Sequence, residues 1–154
     1  TLREDREFWL DAVQENRVVL EYADGLGLLG TGRSPTSDPD FMLAAAARDL
    51  KALEYAADEL LEDFDFMARC VEVDGDALQF ASGELRGDKR LVIKAAENKA
   101  TALKHADSQL RDDRDVFLAM VARDGYALRH SSESLNDDKE LVLAAVRRNG
   151  GALR

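Results

Sequence analysis

The chain has 154 residues, a net charge of −10 at pH 7 and a hydrophobic content of 45%, which is enough to bury a core. No apolar run approaches the ~20 residues that a membrane-spanning helix needs, so membrane insertion is not expected. The single cysteine, Cys70, excludes an internal disulfide framework and is compatible with a reducing compartment, either the cytoplasm or the interior of an organelle. The chain lacks an initiator methionine and begins and ends within repeats, so we expect a processed or trimmed segment.

An internal repeat organises almost the whole chain. Each unit reads Leu-x-x-Asp, then a basic and an acidic residue, a run of apolar residues, Asn or Asp, and Ala-Leu. The repeated aspartates lie 25 residues apart: Asp38, Asp63, Asp88, Asp113 and Asp138. A fixed period of this size is typical of repeat architectures. We therefore predict an all-α fold, a single α-solenoid domain (1–154) of right-stacked helical hairpins, with about six 25-residue units and the last one incomplete. The units start near residues 2, 35, 60, 85, 110 and 135.

Each unit is predicted to form two helices. The repeated Asp suits the N-cap of the first helix, and Pro39 suits the first helical position of the second unit. The apolar stripe that follows is wide enough to need neighbours on both sides. Glycines that follow Asp or Asn are expected to end this helix in the left-handed conformation: Gly75, Gly125 and Gly150. A second helix of about eight residues, too short to be stable alone, completes the unit.

In the first unit, Trp9 lies in the core row, and we expect it to be buried instead of anchoring another chain. An insert at about 27–37 separates the first two aspartates and contains Leu28, Leu29 and Arg33. The sequence of the insert is similar to the glycine-rich motifs of phosphate-binding loops. Those motifs follow a strand, and no strand is predicted before the insert, so nucleotide binding is not expected. Either the loop folds back on the apolar helix 41–47, or it forms a partner surface.

The repeat resembles the helical-repeat family catalogued as domain of unknown function 4116. The resemblance rests on Asp-(Lys/Arg)-(Glu/Asp)-x-Val-Leu-Ala-Ala-Val-x-x-Asn-Gly-x-Ala-Leu, which is nearly complete at 138–153, present at 113–128, and looser at Asp63, Asp38 and Asp5. It covers the chain except the stretch near 27–37. The resemblance implies a multi-repeat protein and carries no reaction, ligand or catalytic residue.

One repeat position becomes basic along the chain. Its occupants in successive units are Glu21, Glu54, Gln79, Lys104, Arg129 and Arg154. Three further arginines add to it near the C-terminal end: Arg123, Arg147 and Arg148. Residues 1–77 hold 7 basic and 19 acidic residues and residues 78–154 hold 14 and 12, so the halves carry −12 and +2. This row is either a solvated face or a surface that docks an acidic patch of a protein partner.

No constellation of catalytic residues is recognised, and neither an enzyme, a cofactor, a metal nor a small-molecule substrate is expected. His105 and His130 share one repeat position, where stacked helices place them too far apart for one ion, so half-buried rings are expected. Cys70 occupies a small apolar position and is expected to pack in the core. An acidic chain also disfavours nucleic acid as the ligand.

The expected function is a non-enzymatic protein–protein interaction scaffold or linker. One alternative is a peripheral structural subunit of a large assembly, of which an organellar or photosynthetic complex is one form. Another is a recruiting or sensor module fused to an enzyme outside this segment.

Overall fold

The computed structural model describes residues 6–23 and 34–150, and every regular element in them is helical. The α-helices are α1 (Arg6–Glu15), α2 (Val19–Ala23), α3 (Pro39–Arg48), α4 (Asp58–Leu61), α5 (Phe64–Val73), α6 (Gly83–Arg86), α7 (Lys89–Asn98), α8 (Arg114–Arg123), α9 (Glu133–Asn136) and α10 (Lys139–Arg148). The 3₁₀ helices are Pro35–Ser37, Leu50–Tyr55, Gly75–Phe80, Ala100–His105 and Gly125–His130. The predicted all-α class is confirmed for these residues, and none of the described helices is long and apolar enough to cross a membrane.

The long helices α3, α5, α7, α8 and α10 each contain 10 residues. Their first residues lie 25 positions apart, as the repeat predicts. Each is preceded by the repeated Asp, whose side chain accepts a hydrogen bond from a backbone amide of the first turn. Asp38 Oδ1 lies 2.7 Å from the amide of Phe41, and Asp63 Oδ1 lies 2.6 Å from that of Phe66. The predicted N-caps at Asp38, Asp63, Asp88, Asp113 and Asp138 are confirmed.

The prediction of two helices per unit is confirmed in part, because the short second helix is a 3₁₀ helix and a third part follows it. A six-residue 3₁₀ helix follows the long helix, and a four-residue α-helix or a turn follows the 3₁₀ helix. The residue between the first two parts is extended (Asp49, φ −141°, ψ 110°), and its side chain accepts from the amide of Lys51 two residues on. Asp74 and Asp124 do the same with Asp76 and Tyr126. Lys99 is equally extended (φ −148°, ψ 105°) before Ala100–His105 but makes no side-chain cap, so the extended residue, and not the side-chain turn, is what the six-residue 3₁₀ helices share.

The left-handed conformation predicted for the glycines is wrong, because the extended Asp already ends the long helix. Gly75 and Gly125 are the first residues of 3₁₀ helices and are buried against the following long helix. A Cβ at Gly75 would stand less than 3.0 Å from the carbonyl oxygen of Ala95, and one at Gly125 equally close to that of Ala145. Glycine is needed at these two positions because the backbone of the next unit is so near.

Successive units contact one another in chain order. Each long helix contacts the long helices before and after it, and each six-residue 3₁₀ helix contacts the next one. The buried side chains form one cluster that extends from Leu10 to Ala145. The short parts are joined by backbone hydrogen bonds: Ala57 N to Thr36 O (2.9 Å), Ser82 N to Leu61 O (2.9 Å) and Asp107 N to Arg86 O (3.0 Å). One core cluster therefore includes side chains from all the described units.

Candidate functional site

Two of the predicted site residues, Lys104 and Arg129, lie at equivalent positions of successive 3₁₀ helices, and both are exposed. Glu54 and Gln79 at the same position are exposed as well. The expected outward row is therefore confirmed for the described units. The predictions for Leu28, Leu29, Arg33 and Arg154 fall outside the described residues.

The row borders a surface recess of about 340 Å³, which we call the first recess. Its apolar part is formed by Ala100 and Leu103, and its polar part by Lys104, Arg111 and His130, with Thr101 completing the lining. The residues belong to two successive units, so the recess spans their junction. It offers an apolar floor with cationic side chains around it.

A second recess of about 310 Å³ shares Arg111 with the first. It is also lined by Arg86 of the preceding unit and by His105 and Asp107, which belong to the same unit as Arg111. The carboxylate of Asp107 accepts from the amide of Gln109 at 2.9 Å. The two recesses are thus neighbours, and cationic side chains dominate the charge around them.

The side chain of Arg111 is held by a backbone carbonyl earlier in the chain, because its Nε donates to the carbonyl of Ala106 at 2.9 Å. Among the described residues, no carboxylate lies within 4.0 Å of Arg86, Arg111 or Arg129, and Lys104 approaches Asp76 only at 4.0 Å. We call Arg86, Lys104, Arg111 and Arg129 the basic face. Its positive charges are little neutralised by the protein itself, although the chain as a whole is acidic.

A charged cluster adjoins the basic face at Lys104. Lys99 Nζ lies 2.6 Å from Asp76 Oδ2, and His105 Nε2 lies 3.5 Å from Asp76 Oδ1. Burial raises the pKa of Asp76, but the hydrogen bond and charge of Lys99, with the charges of Lys104 and His105, outweigh it and lower that pKa below its usual value. Burial and the charge of Lys104 lower the pKa of His105 in spite of Asp76. At neutral pH this cluster holds an ionised carboxylate beside a neutral imidazole.

A row of ion pairs joins the starts of successive long helices, and we call it the ion-pair ladder. Lys89 Nζ lies 2.9 Å from Asp113 Oδ1 and 2.6 Å from Asp115 Oδ2. One unit later, Arg114 pairs with Asp138 at 2.7 Å and also with Glu140. In each case the first residue of a helix pairs with the capping Asp of the next unit and with the acid two residues further on.

One junction uses a different pair at the same positions. Phe64 replaces the cation at the start of α5, and Arg90 replaces the acid of the next unit. The guanidinium carbon of Arg90 lies 4.5 Å from the centre of the Phe64 ring, and its Nη2 pairs with Asp88 at 2.7 Å. The exception that Arg90 makes to the acidic pattern therefore has a structural explanation, since a cation–π contact takes the place of an ion pair.

The sequence matches the family described as a domain of unknown function (DUF4116) over residues 38–86, 63–111 and 113–154. These segments cover well over half of the chain. The chain belongs to the DUF4116 family. Each DUF4116 match begins at a capping aspartate, namely Asp38, Asp63 or Asp113. No curated protein and no solved structure matches the chain.

The remaining predicted arginines of this DUF4116 chain do not line the first two recesses. Arg123 lines another recess, which shares Ala100 with the first and is also lined by Glu97, Asn98 and Asp124. Arg148 donates to the carbonyl oxygen of Arg123 at 3.0 Å. Arg147 borders a third surface, formed by Leu118, Glu140, Leu143 and Ala144.

Sequence reasoning missed Arg86 and Arg111, although a signal was present. Both follow the leucine of the Leu-x-x-Asp motif, exactly one DUF4116 period apart. The motif was interpreted only as the start of a unit. The structure places it at the end of the short third part, beside the 3₁₀ helix that carries the basic row.

Three further predictions concern single side chains. Cys70 is buried, and burial raises the pKa of its thiol to about 12, as expected for a packing residue. Trp9 is only partly buried against the core, so the expected burial is confirmed in part. His105 is half-buried, as predicted, but His130 is exposed. Nε2 of His130 accepts a hydrogen bond from Nε of Arg129 at 3.2 Å.

Proposed function

We propose that the chain is an α-solenoid of about six DUF4116 units, the last incomplete, whose function is to bind protein partners without catalysing a reaction. The contacts between successive long helices and between successive 3₁₀ helices support this architecture. Repeat proteins of this kind present an extended surface to which each unit contributes a few side chains.

The observation that carries the proposal is the environment of Arg111. This side chain is exposed, is tethered by one backbone hydrogen bond, and lies between two recesses with no described carboxylate within 4.0 Å. Where the chain uses cations for its own structure, as at Lys89 and Arg114, it supplies carboxylates to pair with them. Cations left without such partners around an apolar floor favour an external acidic ligand.

The expected ligand is an acidic segment of a protein that also carries apolar side chains. An apolar residue would fill the first recess against Leu103, while flanking carboxylates contact Arg111 and Lys104. Ion pairs at such a rim contribute mainly to specificity and to the rate of association, and binding should weaken as salt increases.

A displayed library of random short peptides tests this proposal without knowledge of the natural partner. Wild-type protein should enrich peptides in which Asp or Glu alternates with apolar residues. Arg111→Glu should weaken the binding of the best enriched peptide by about tenfold or more, measured by fluorescence anisotropy. Lys51→Glu makes the same change of charge at an exposed lysine of an earlier unit and should leave the affinity unchanged.

Two results would contradict the proposal. Enrichment of neutral or basic peptides would show that the basic face does not select carboxylates. Equal affinity of the wild-type and Arg111→Glu proteins for an acidic peptide would place its binding elsewhere on the chain.

A further inference from the structure

The second recess lies between two arginines that occupy the same repeat position. Within the described residues, the residue after the first position of the Leu-x-x-Asp motif is arginine at Arg86 and Arg111. The equivalent residues of the other described units are Thr36, Leu61 and Asn136. Both arginines line the second recess. The chain therefore brings a pair of guanidinium groups together at one junction.

The two arginines are anchored to adjacent residues. The carbonyl oxygen of Arg86 accepts from the amide of Asp107 at 3.0 Å, and Nε of Arg111 donates to the carbonyl oxygen of Ala106 at 2.9 Å. The backbone of one arginine and the side chain of the other are thus fixed to the same short segment. Among the described residues, only Nε of Arg111 takes part in a hydrogen bond, so its two Nη groups remain for a ligand.

The protein itself does not neutralise either arginine. Arg86 and Arg111 are exposed, and neither makes an ion pair with a carboxylate of the described residues. Ser108 also lines the recess, and its hydroxyl is exposed. Asp107 lines the recess as well, but its Oδ1 accepts from the amide of Gln109 at 2.9 Å. The recess offers two guanidinium groups and a hydroxyl donor beside one carboxylate that is engaged in a turn.

This donor set matches a phosphoryl group better than a carboxylate. One guanidinium is enough to pair with a carboxylate, because the two groups bond in a bidentate manner. A phosphorylated serine or threonine carries a charge of about −1.5 to −2 at pH 7 and three acceptor oxygens. These oxygens suffice for bonds to Arg86, Arg111 and the hydroxyl of Ser108.

We propose that the second recess binds the phosphoryl group of a phosphorylated serine or threonine in the protein partner. Arg86 and Arg111 pair with its oxygens, and Ser108 donates a hydrogen bond to it. This inference rests on the proposed function, because the remainder of the acidic segment occupies the first recess, which shares Arg111 with the second. Phosphorylation of the partner then strengthens its association with this chain.

Peptide arrays that differ at a single residue test the assignment. Random sequences are synthesised around a fixed central phosphoserine, and matched sets carry glutamate or serine in its place. The wild-type protein should bind the retained phosphoserine peptides at least about tenfold more tightly than their glutamate counterparts, measured by fluorescence anisotropy. Arg86→Gln should remove this preference and leave the affinity for the glutamate peptides within about twofold of the wild-type value. Arg147→Gln makes the same change at an exposed arginine of α10 and should keep the preference.

Asp107→Asn tests the same site in the opposite direction. The amide oxygen of asparagine can still accept from Gln109, but the negative charge beside the two arginines is removed. The affinity for phosphoserine peptides should rise by more than the affinity for glutamate peptides, because the repulsion from Asp107 increases with the charge of the ligand. An equal rise for both kinds of peptide would contradict the assignment.

Other outcomes would also overturn the assignment of a phosphoryl group. Equal affinity for phosphoserine and glutamate peptides would do so, as would an Arg86→Gln variant that keeps the preference. Neither result would contradict the proposed function, which Arg111→Glu tests with unphosphorylated peptides. Inorganic phosphate that binds as tightly as the phosphoserine peptides, or binding only to vesicles that contain phosphatidic acid, would mean that the anion does not come from a protein partner.

Discussion

Gly75 lies against the last turn of the following long helix, so that a Cβ at Gly75 would stand less than 3.0 Å from the carbonyl oxygen of Ala95 and 2.9 Å from Cβ of Lys99. The atoms in the way are backbone atoms and the stem of a side chain, and they have little freedom to move. The amide of Gly75 is also fixed, since it donates to Oδ1 of Asn98 at 2.9 Å. The junction between two units therefore depends on the absence of one methyl group.

Gly75→Ala should consequently lower the free energy of unfolding by about 1–3 kcal/mol, the usual cost of overpacking a close contact. Urea denaturation measures the change. Gly83→Ala is the matched control, because nothing lies within 4 Å of its Cβ and alanine favours the helix there. A Gly75→Ala protein as stable as the control would mean that the two backbones separate easily.

The contact between Phe64 and Arg90 predicts that two substitutions compensate each other. Phe64→Lys alone should destabilise the protein, because it places an ammonium beside the Arg90 guanidinium. The double variant Phe64→Lys/Arg90→Glu should recover most of the lost stability, since it recreates the pair that Lys89 makes with Asp115. A double-mutant cycle of thermal unfolding measures the coupling. Strictly additive effects would show that the two positions do not interact.

Asp113 has two separable roles, as a cap and as an ion-pair partner. It accepts from the amides of Asp115 (2.9 Å) and Val116 (3.1 Å) and pairs with Lys89. Asp113→Ala should cost about 1 kcal/mol of stability through the lost cap, and Asp113→Asn should cost less because its amide oxygen still accepts. Asp137→Ala, at the exposed aspartate that precedes the capping Asp138, is the control for urea denaturation. Equal losses in Asp113→Ala and Asp113→Asn would mean that the charge alone matters.

The ionisation of Asp113 should make the stability of the protein depend on pH in the acidic range. Burial raises the pKa of Asp113, but the hydrogen bond from Lys89 and the amide of Val116 outweigh it and lower that pKa below its usual 3.8. The stability contributed by the carboxylate is therefore present above 3.8 and is lost as the pH falls through the lowered pKa.

The protonation of His105 should affect the stability of the protein at higher pH than that of Asp113 does. Because burial and Lys104 lower its pKa from the usual 6.5, the unfolded chain takes up a proton before the folded protein does. The free energy of unfolding should decrease as the pH falls from about 7 through the lowered pKa. His105→Gln should reduce this slope between about pH 7 and pH 5 in urea denaturation. An unchanged slope in His105→Gln would contradict the assignment.

The period and the capping aspartates were predictable from the sequence, because a side chain that caps a helix must precede an apolar stripe at a fixed distance. The 3₁₀ helices were not. An Ala-Leu segment of six residues fits either helix type, and the sequence does not show the extended residue that precedes it, which is an Asp with a side-chain turn in three units and Lys99 without one in another. The exposed positions of Arg86 and Arg111 were not predicted either. The short third part of the unit that contains them has too few residues to show a hydrophobic periodicity, so the sequence does not indicate which of its side chains face solvent.

The backbone hydrogen bonds between the short parts stop before the last complete junction. The amides of Ser82 and Asp107 donate to carbonyls of the preceding unit, but the amide of Ser132 reaches only Oδ1 of Asp112, at 3.4 Å. Amide hydrogen exchange should therefore be faster at Ser132 than at Ser82 and Asp107. Arg111 and His130 stand on opposite sides of this junction, where the hydroxyl of Ser132 also donates to Oδ2 of Asp112 at 2.8 Å. The first recess therefore lies at the junction whose short parts are joined through a side chain, whereas the earlier ones are joined backbone to backbone.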